Sequence, residues 1–262
     1  MPNLNQIYSL KQEFYELNVK DRMVKNYLEK SEAKDILKKA FDSGSLNERR
    51  MFSFINENLN PAKPDLIKYF DEGREEDVVL LFIDITSFSK TISGWTNSKM
   101  KNYLDDYYKK IIPIIYRNGG EIEKLMGDGI ICVFGKPFLD LPNPQHVYKA
   151  ETCAEEAIKK FHGSGKNVKV AIHKGTVNYY KVPGEHYGEY TIIGQPITDL
   201  YRLESVSKSN AINFYDGSSY DHLGWDYSIF DKSIVSCRGF ESGKLQGVDF
   251  TKVKYMKFPG YI

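Results

Sequence analysis

Two aspartates beside apolar runs are the residues whose types and spacing best predict chemistry in this sequence. Asp84 ends the apolar run at 78–83, and Asp128 lies between Gly127 and Gly129 with apolar residues on both sides. A run that short and that rich in β-branched residues is typical of a strand buried on both faces. A carboxylate at the end of such a strand is costly unless a partner balances its charge. We therefore expect Asp84 and Asp128 to meet.

Such a carboxylate pair is suited to divalent cations. Magnesium and manganese prefer carboxylate and carbonyl oxygens, often one or two carboxylates together with substrate phosphates. The short polar segment at 85–89 offers backbone N–H groups near a helix start, which favours phosphate binding. These features predict a nucleoside triphosphate site with two-metal chemistry. The alternative is that Asp128 is only a hairpin turn residue and Asp84 only a strand-end cap.

A P-loop is excluded as the source of phosphate binding. The glycine and lysine at 135–136 are followed by Pro137, whereas that motif requires Ser or Thr after the lysine.

Strands and helices alternate along the chain, with hairpins between some of them. A helix begins at an Asn97 or Ser98 cap and contains Pro113, which predicts a kink or the late turns of the helix. The glycines around Asp128 predict a tight hairpin. Further strands are expected at 168–172, 189–194 and near 211–214, 228–237 and 245–256, with a loop at 179–188 and a helix at 195–205. This order predicts an α+β fold rather than a Rossmann sheet.

The chain divides by pattern into two parts. Residues 1–75 have apolar residues at helical spacing, which predicts a helical N-terminal extension, and residues 76–262 hold the two aspartates. The extension is expected to cap the fold or support a dimer, with a regulatory segment as the alternative. Asp71–Asp77 is expected to be a solvated lead-in to the first strand.

Composition narrows the class of protein. The net charge is +1, so no bulk attraction to nucleic acid or membrane is expected. The three cysteines are scattered, which is typical of reduced thiols rather than of a disulfide frame. Neither a signal peptide nor an apolar run of membrane-spanning length is present, and we expect a cytoplasmic protein without membrane insertion.

Three segments follow the order and spacing of one enzyme family. They are F-x-D-I-x-x-F-S at 82–89, G-G-x-x-x-K-x-x-G-D-G-x-x-x-V-F-G at 119–135 and Y-T-I-I-G-x-x-I-x-x-x-x-R-L-E-S at 190–205. Over about residues 76–258 the sequence resembles the class III nucleotidyl cyclases. The resemblance implies a ferredoxin-like βαββαβ core in residues 76–262 and a head-to-tail homodimer with active sites at the interface. It also implies conversion of a nucleoside triphosphate to a 3′,5′-cyclic nucleotide and pyrophosphate.

The resemblance also implies roles for individual residues. Two Mn²⁺ or Mg²⁺ ions would be bound by Asp84, Asp128 and the Ile85 carbonyl. Backbone amides of the segment from Ile85 through Thr86 and Ser87 to Phe88 would hold the phosphates. Arg202 of the other subunit would stabilise charge on the phosphates, with an ion pair to Glu204 or Asp199 as the alternative role.

This sequence departs from the family in three places, of which the first two concern the ribose and the phosphates. Thr198 stands where the family usually has the asparagine that orients the ribose. The family's late phosphate-binding lysine aligns loosely with Gln246, and Lys244, Lys252 or Lys254 would replace it.

The third departure concerns the base: by the resemblance, Lys124 occupies the family's base-reading lysine position and Thr191 its partner position, which is often Asp in adenylate cyclases. A lysine ammonium only donates hydrogen bonds, so it suits adenine N1, cytosine O2 or N3, or a uracil carbonyl. Thr191 can donate or accept, which leaves adenine and the pyrimidines open. Alternatively Lys124 is structural and held by Glu121 or Glu123.

One compact cyclase unit with a short helical N-terminal extension, together with Thr198, resembles the stand-alone pyrimidine cyclases of the bacterial Pycsar antiphage systems. Those enzymes make cyclic UMP or cyclic CMP, which acts on a separate effector. We favour this activity, with an adenylate cyclase or a catalytically degenerate signalling module as alternatives.

Overall fold

The computed structural model describes residues 68–141, 143–182, 189–222, 235–239 and 245–257. The predicted N-terminal helices and Lys244 lie outside these residues, and the division at residue 75 stays a prediction. The elements are β1 (Glu75–Ile85), α1 (Phe88–Thr91), α2 (Asn97–Arg117), β2 (Glu121–Met126), β3 (Gly129–Phe134), α3 (Asn143–Phe161), β4 (Val168–Val182), β5 (Glu189–Ile193), α4 (Gln195–Val206), β6 (Ala211–Tyr215), β7 (Val235–Gly239) and β8 (Lys252–Lys257).

The strands form one sheet in the order β2-β3-β1-β4-β6-β8-β7, and β5 pairs with β4. β1 lies between β3 and β4 and is antiparallel to both, and β2 and β3 form a hairpin. The first four strands with α2 and α3 therefore make the predicted ferredoxin-like βαββαβ arrangement. The α+β prediction is confirmed.

β1 is buried on both faces, as its apolar run predicts. Because successive side chains of a strand point to opposite faces, alternate residues enter two different cores. Val79, Leu81 and Ile83 pack with the core beneath α2 and α3. Leu80 and Phe82 pack on the opposite face with residues of α4. The polar end of the strand, at Asp84, is therefore fixed from both sides.

Several strand boundaries differ from prediction: two strands are longer than expected and one is shorter. Residues 179–182 of the expected loop belong to β4, since 178–182 pairs with β5, and the rest of that loop lies outside the described residues. The lead-in expected at 71–77 already belongs to β1 from Glu75, and the strand expected from 245 begins at Lys252.

The start of α2 also differs from prediction. Thr96, not Asn97 or Ser98, caps the helix, and its hydroxyl accepts a hydrogen bond from the Lys99 amide at 3.3 Å. Pro113 lies in the late turns of α2, as one of the two expectations had it. Within the described residues, none of the helices has the length and apolar character needed to cross a bilayer.

Candidate active site

The end of β1 and the β2–β3 turn bring Asp84 and Asp128 together. The two carboxyl groups lie within hydrogen-bonding reach of each other. Burial, followed by the nearby charge of Asp128, raises the pKa of Asp84 to about 6. Burial also raises the pKa of Asp128. Two carboxylates that resist ionisation together form a site that a cation would stabilise. Asp84 and Asp128 therefore lie together, as the sequence predicts.

Lys169 of β4 supplies the positive charge at this pair, and the sequence analysis missed it. It lies opposite Asp84 in the antiparallel register of β1 and β4. Its ammonium is 3.3 Å from the Asp84 carboxylate and also forms an ion pair with Glu204 of α4. The three side chains are between 17% and 20% exposed, so water screens this network only partly. The network ties α4 to the end of β1.

The residues present fit divalent metal ions. Two carboxylates share a partly buried site, and hard oxygen donors of this kind suit Mg²⁺ or Mn²⁺. Among the described residues, no group of three or more Asp, Glu, His or Cys side chains is arranged to hold a metal. Bound ions would therefore take further oxygens from the Ile85 carbonyl, water and a substrate's phosphates.

The β2–β3 turn is shaped for a close approach to β1. A Cβ atom added at Gly129 would lie 2.8 Å from the Phe82 ring and 3.4 Å from the Asp84 carboxylate. The hydroxyl of Tyr108 on α2 donates to the Gly127 carbonyl and holds the turn from the other side. Gly129 is thus needed because a side chain would not fit against Phe82. Tyr108 stabilises the turn through a hydrogen bond that the sequence analysis missed.

The segment after β1 differs in part from the predicted phosphate cradle. The Thr86 amide donates to the Asn167 carbonyl at 2.8 Å, and its hydroxyl donates to Ser209 at 2.8 Å. Thr86 therefore anchors the segment, and its amide is not available to a phosphate in this conformation. Within the described residues, the amides of Ser87 and Phe88 donate to no backbone carbonyl. Ser87 has a positive φ of 59°, which turns the chain sharply into α1.

α4 presents the second group of predicted residues. Thr198 and Arg202 are both exposed and are four residues apart, so they lie on one face of the helix. Leu200 and Leu203 are fully buried and hold the helix to the sheet. The spacing explains how one helix can present a hydroxyl and a guanidinium side by side.

The structure lends no support to the alternative role of Arg202, an ion pair with Glu204 or Asp199. Glu204 binds Lys169, and Asp199 accepts a hydrogen bond from Gln195 at 2.9 Å and lies 3.5 Å from the His173 ring nitrogen. No ion pair of Arg202 occurs among the described residues, which leaves its guanidinium available.

A β-bulge in β2 sets the positions of Glu123 and Lys124. Ile122 pairs with Cys132 but Lys124 pairs with Ile131, so Glu123 is an extra residue in β2. Ile122 and Cys132 pack in the core beneath α2 and α3, whereas Ile131 packs in the opposite core. Lys124 is therefore on the α4 face of the sheet.

Glu123 is on that same face because of the bulge. It is 4% exposed, and its carboxylate accepts a hydrogen bond from the Thr191 hydroxyl at 2.9 Å. Lys124 is exposed, and no ion pair of its ammonium occurs among the described residues, which lends no support to its alternative structural role. The structure thus brings Thr191 into contact with Glu123, the neighbour of Lys124 in the sequence.

The late phosphate-binding lysine has no settled counterpart. Lys254 pairs with Asp216 and Asp221, each at 2.7 Å, so it does not suit that role. Lys252 is exposed at the start of β8.

The fold and the carboxylate pair define a nucleotide-cyclase catalytic domain. The sequence profile described as "Adenylate and Guanylate cyclase catalytic domain" matches residues 70–248. The chain belongs to this family of class III cyclases.

Similar proteins include an uncharacterized protein and an adenylate cyclase. An uncharacterized protein of Mycobacterium tuberculosis is 25% identical over 138 residues, which are 52% of this chain and 25% of that protein. Adenylate cyclase 1 of Rhizobium meliloti is 21% identical over 140 residues, which are 51% of this chain and 21% of that protein. The match thus spans a quarter or less of these relatives.

Among solved structures, the catalytic core of a rhodopsin-guanylyl cyclase with converted specificity, in complex with ATPαS, has a similar fold. Its TM-score is 0.57 at 22% identity, and the match covers 72% of this chain and 99% of that one.

Proposed function

We propose that this chain converts a nucleoside triphosphate to a 3′,5′-cyclic nucleoside monophosphate and pyrophosphate. The observation that carries the proposal is the partly buried Asp84–Asp128 pair at the end of β1, where the pKa of Asp84 is raised to about 6. A member of the cyclase family that keeps this pair has the groups needed to hold divalent ions and a triphosphate.

The proposed reaction is intramolecular. The ribose 3′-oxygen attacks the α-phosphorus, and the bond to the pyrophosphate oxygen breaks, so that pyrophosphate leaves. When bound, divalent ions supply charge neutralisation and lower the pKa of the attacking hydroxyl. The chain's own residues position the reactants and complement the charge. Asp84, Asp128 and the Ile85 carbonyl hold the ions, and the Ser87 and Phe88 amides receive the phosphates.

Arg202 and Thr198 serve the same triphosphate from a second copy of the chain. A guanidinium has a planar fork suited to phosphate oxygens, and Arg202 is exposed without an ion pair among the described residues. Thr198, one helical turn earlier, is placed to contact the ribose through its hydroxyl. The proposed homodimer therefore joins the aspartate pair of one protomer to the α4 face of its partner.

The proposal extends to the nucleobase that is selected and to the biological role of the product. Lys124 is exposed beside Thr191, in keeping with base reading. Our preference from sequence was a pyrimidine cyclase making cyclic UMP or cyclic CMP in antiphage defence, with the messenger acting on a separate effector. An adenylate cyclase is supported at least as well, because the similar proteins named above include an adenylate cyclase and a cyclase core bound to ATPαS.

The test is incubation of the purified protein with Mn²⁺ and each of ATP, CTP, GTP and UTP, followed by chromatography of the products. We expect a cyclic nucleotide and an equal amount of pyrophosphate from at least one substrate. Asp128→Asn should lower turnover by at least about 100-fold, because one charge of the ion-binding pair is lost. Asp105→Asn, at an exposed aspartate of α2 paired with Lys101, is the matched control.

Two results would contradict the proposal. One is the absence of cyclic product from all four nucleotides, which would favour a degenerate module that only binds nucleotide. The other is unchanged turnover in Asp128→Asn.

A further inference from the structure

The Thr191 hydroxyl donates its hydrogen bond to an acceptor within the protein. The hydroxyl donates to the Glu123 carboxylate at 2.9 Å, and the only other acceptor recorded for it among the described residues is the Ile192 carbonyl at 3.4 Å. A hydroxyl has one proton and two lone pairs. Because both partners are acceptors, the Thr191 oxygen is left to accept a hydrogen bond from a ligand.

The environment of Glu123 favours its role as the acceptor of that hydrogen bond. It is 4% exposed, and the bulge in β2 places it on the same face of the sheet as Lys124. In a regular strand these neighbours would point to opposite faces. The bulge therefore sets an acceptor-only oxygen beside a donor-only ammonium.

We propose that Glu123 is a positioning residue that makes the base site select nucleobases with an amino group, namely adenine or cytosine. The inference rests on the proposed function, because it takes Lys124 and Thr191 to be the base-reading pair. Adenine and cytosine present an exocyclic amino donor next to a ring nitrogen that accepts. Guanine and uracil present the reverse, a carbonyl acceptor next to a ring N–H donor.

The lengths of the Thr191 and Lys124 side chains decide which of them contacts which atom of the base. The threonine stem is short and its oxygen is fixed by Glu123, so it suits the exocyclic group, which projects from the ring. The lysine stem is long, flexible and exposed, so its ammonium can reach the recessed ring nitrogen. An oxo base placed in the same way would set its carbonyl against the Thr191 oxygen and its ring N–H against the ammonium. Such unpaired polar contacts are costly, so these bases are rejected.

The experiment compares kcat/KM for ATP with that for GTP, and for CTP with that for UTP. These amino-to-oxo ratios should be at least about tenfold in the wild-type protein. Glu123→Gln should lower the ratios by about fivefold or more, since an amide can donate to Thr191 and release its proton toward a carbonyl. Thr191→Val should lower them similarly, whereas Thr191→Ser should keep them. Thermal unfolding of each variant checks folding, and the Val and Ser pair carries the test if Glu123→Gln does not fold.

Equilibrium binding of the four 3′-deoxynucleoside triphosphates separates this inference from the proposed function. These ligands lack the attacking hydroxyl, so they report base selection without turnover. Tight binding of the amino bases without cyclisation of any substrate would sustain the inference and refute the cyclase. Cyclisation of UTP or GTP as efficiently as of CTP or ATP, or ratios unchanged in Glu123→Gln, would overturn the inference and leave the cyclase intact.

Discussion

The buried glutamate of α3, Glu151, makes the stability of this fold depend on pH. Its side chain has no exposed surface, and one carboxyl oxygen accepts a hydrogen bond from the Tyr220 hydroxyl at 2.7 Å. The other oxygen is buried without a hydrogen-bond partner among the described residues. Burial raises the pKa of Glu151 from the usual 4.5 to about 7. The folded protein therefore prefers this carboxyl protonated.

The size and sign of the effect follow from that shift. Below about pH 4.5 the carboxyl is protonated in both the folded and unfolded states, and its contribution to stability is fully present. Between pH 4.5 and 7 the unfolded state loses the proton while the folded state keeps it, so the free energy of unfolding falls as pH rises. Each pH unit costs about 1.4 kcal/mol, which amounts to about 3 kcal/mol over the whole interval.

Glu151→Gln tests this reasoning by urea unfolding from pH 4.5 to 8. The amide keeps an acceptor for Tyr220 but cannot ionise. The variant should gain about 3 kcal/mol relative to wild type between pH 4.5 and pH 8. The matched control is Glu155→Gln, at the partly exposed glutamate of the same helix that pairs with Lys159. A difference between Glu151→Gln and wild type that stays constant over this range would refute the reasoning.

Two further predictions concern the active site. Asp84→Ala and Arg202→Ala, each inactive alone, should recover about a quarter of wild-type activity when mixed, because half the dimers are mixed and each has one intact site. A mixture that stays inactive while mass spectrometry detects mixed dimers would contradict the shared site. Gly129→Ala should cost about 1–3 kcal/mol in urea unfolding and lower turnover, since the new methyl group meets Phe82 and Asp84. Wild-type stability and turnover in this variant would show that the turn tolerates the added carbon.

The features predicted best from the sequence are those encoded locally. The apolar run before Asp84 gives a strand buried on both faces, and the glycines around Asp128 give the tight turn of β2 and β3. Pro196 in the first turn and the spacing of Leu200 and Leu203 identify α4. Of these elements, β1 and the β2–β3 turn bring the two aspartates together.

The features that were missed depend on register between distant segments. Lys169 reaches Asp84 only because β1 and β4 pair at those two residues, and no local pattern specifies that pairing. The sequence suggested Glu123 only as an ion-pair partner of Lys124. Its contact with Thr191 was missed because strict alternation would set Glu123 and Lys124 on opposite faces of the sheet. The continuation of β4 to Val182 depends on its pairing with β5, which a nearby proline and glycines obscured.

The shortness of β2 has a consequence for communication between the two catalytic centres of the proposed dimer. The strand has six residues, with Lys124 in its middle and Asp128 in the turn that follows it. In the proposed arrangement Lys124 reads the base in one centre while Asp128 of the same protomer holds ions in the other. The two residues are four positions apart, which is at most about 13 Å of fully extended chain. In the proposed dimer, a nucleotide that shifts β2 in one centre would therefore also displace Asp128 in the other.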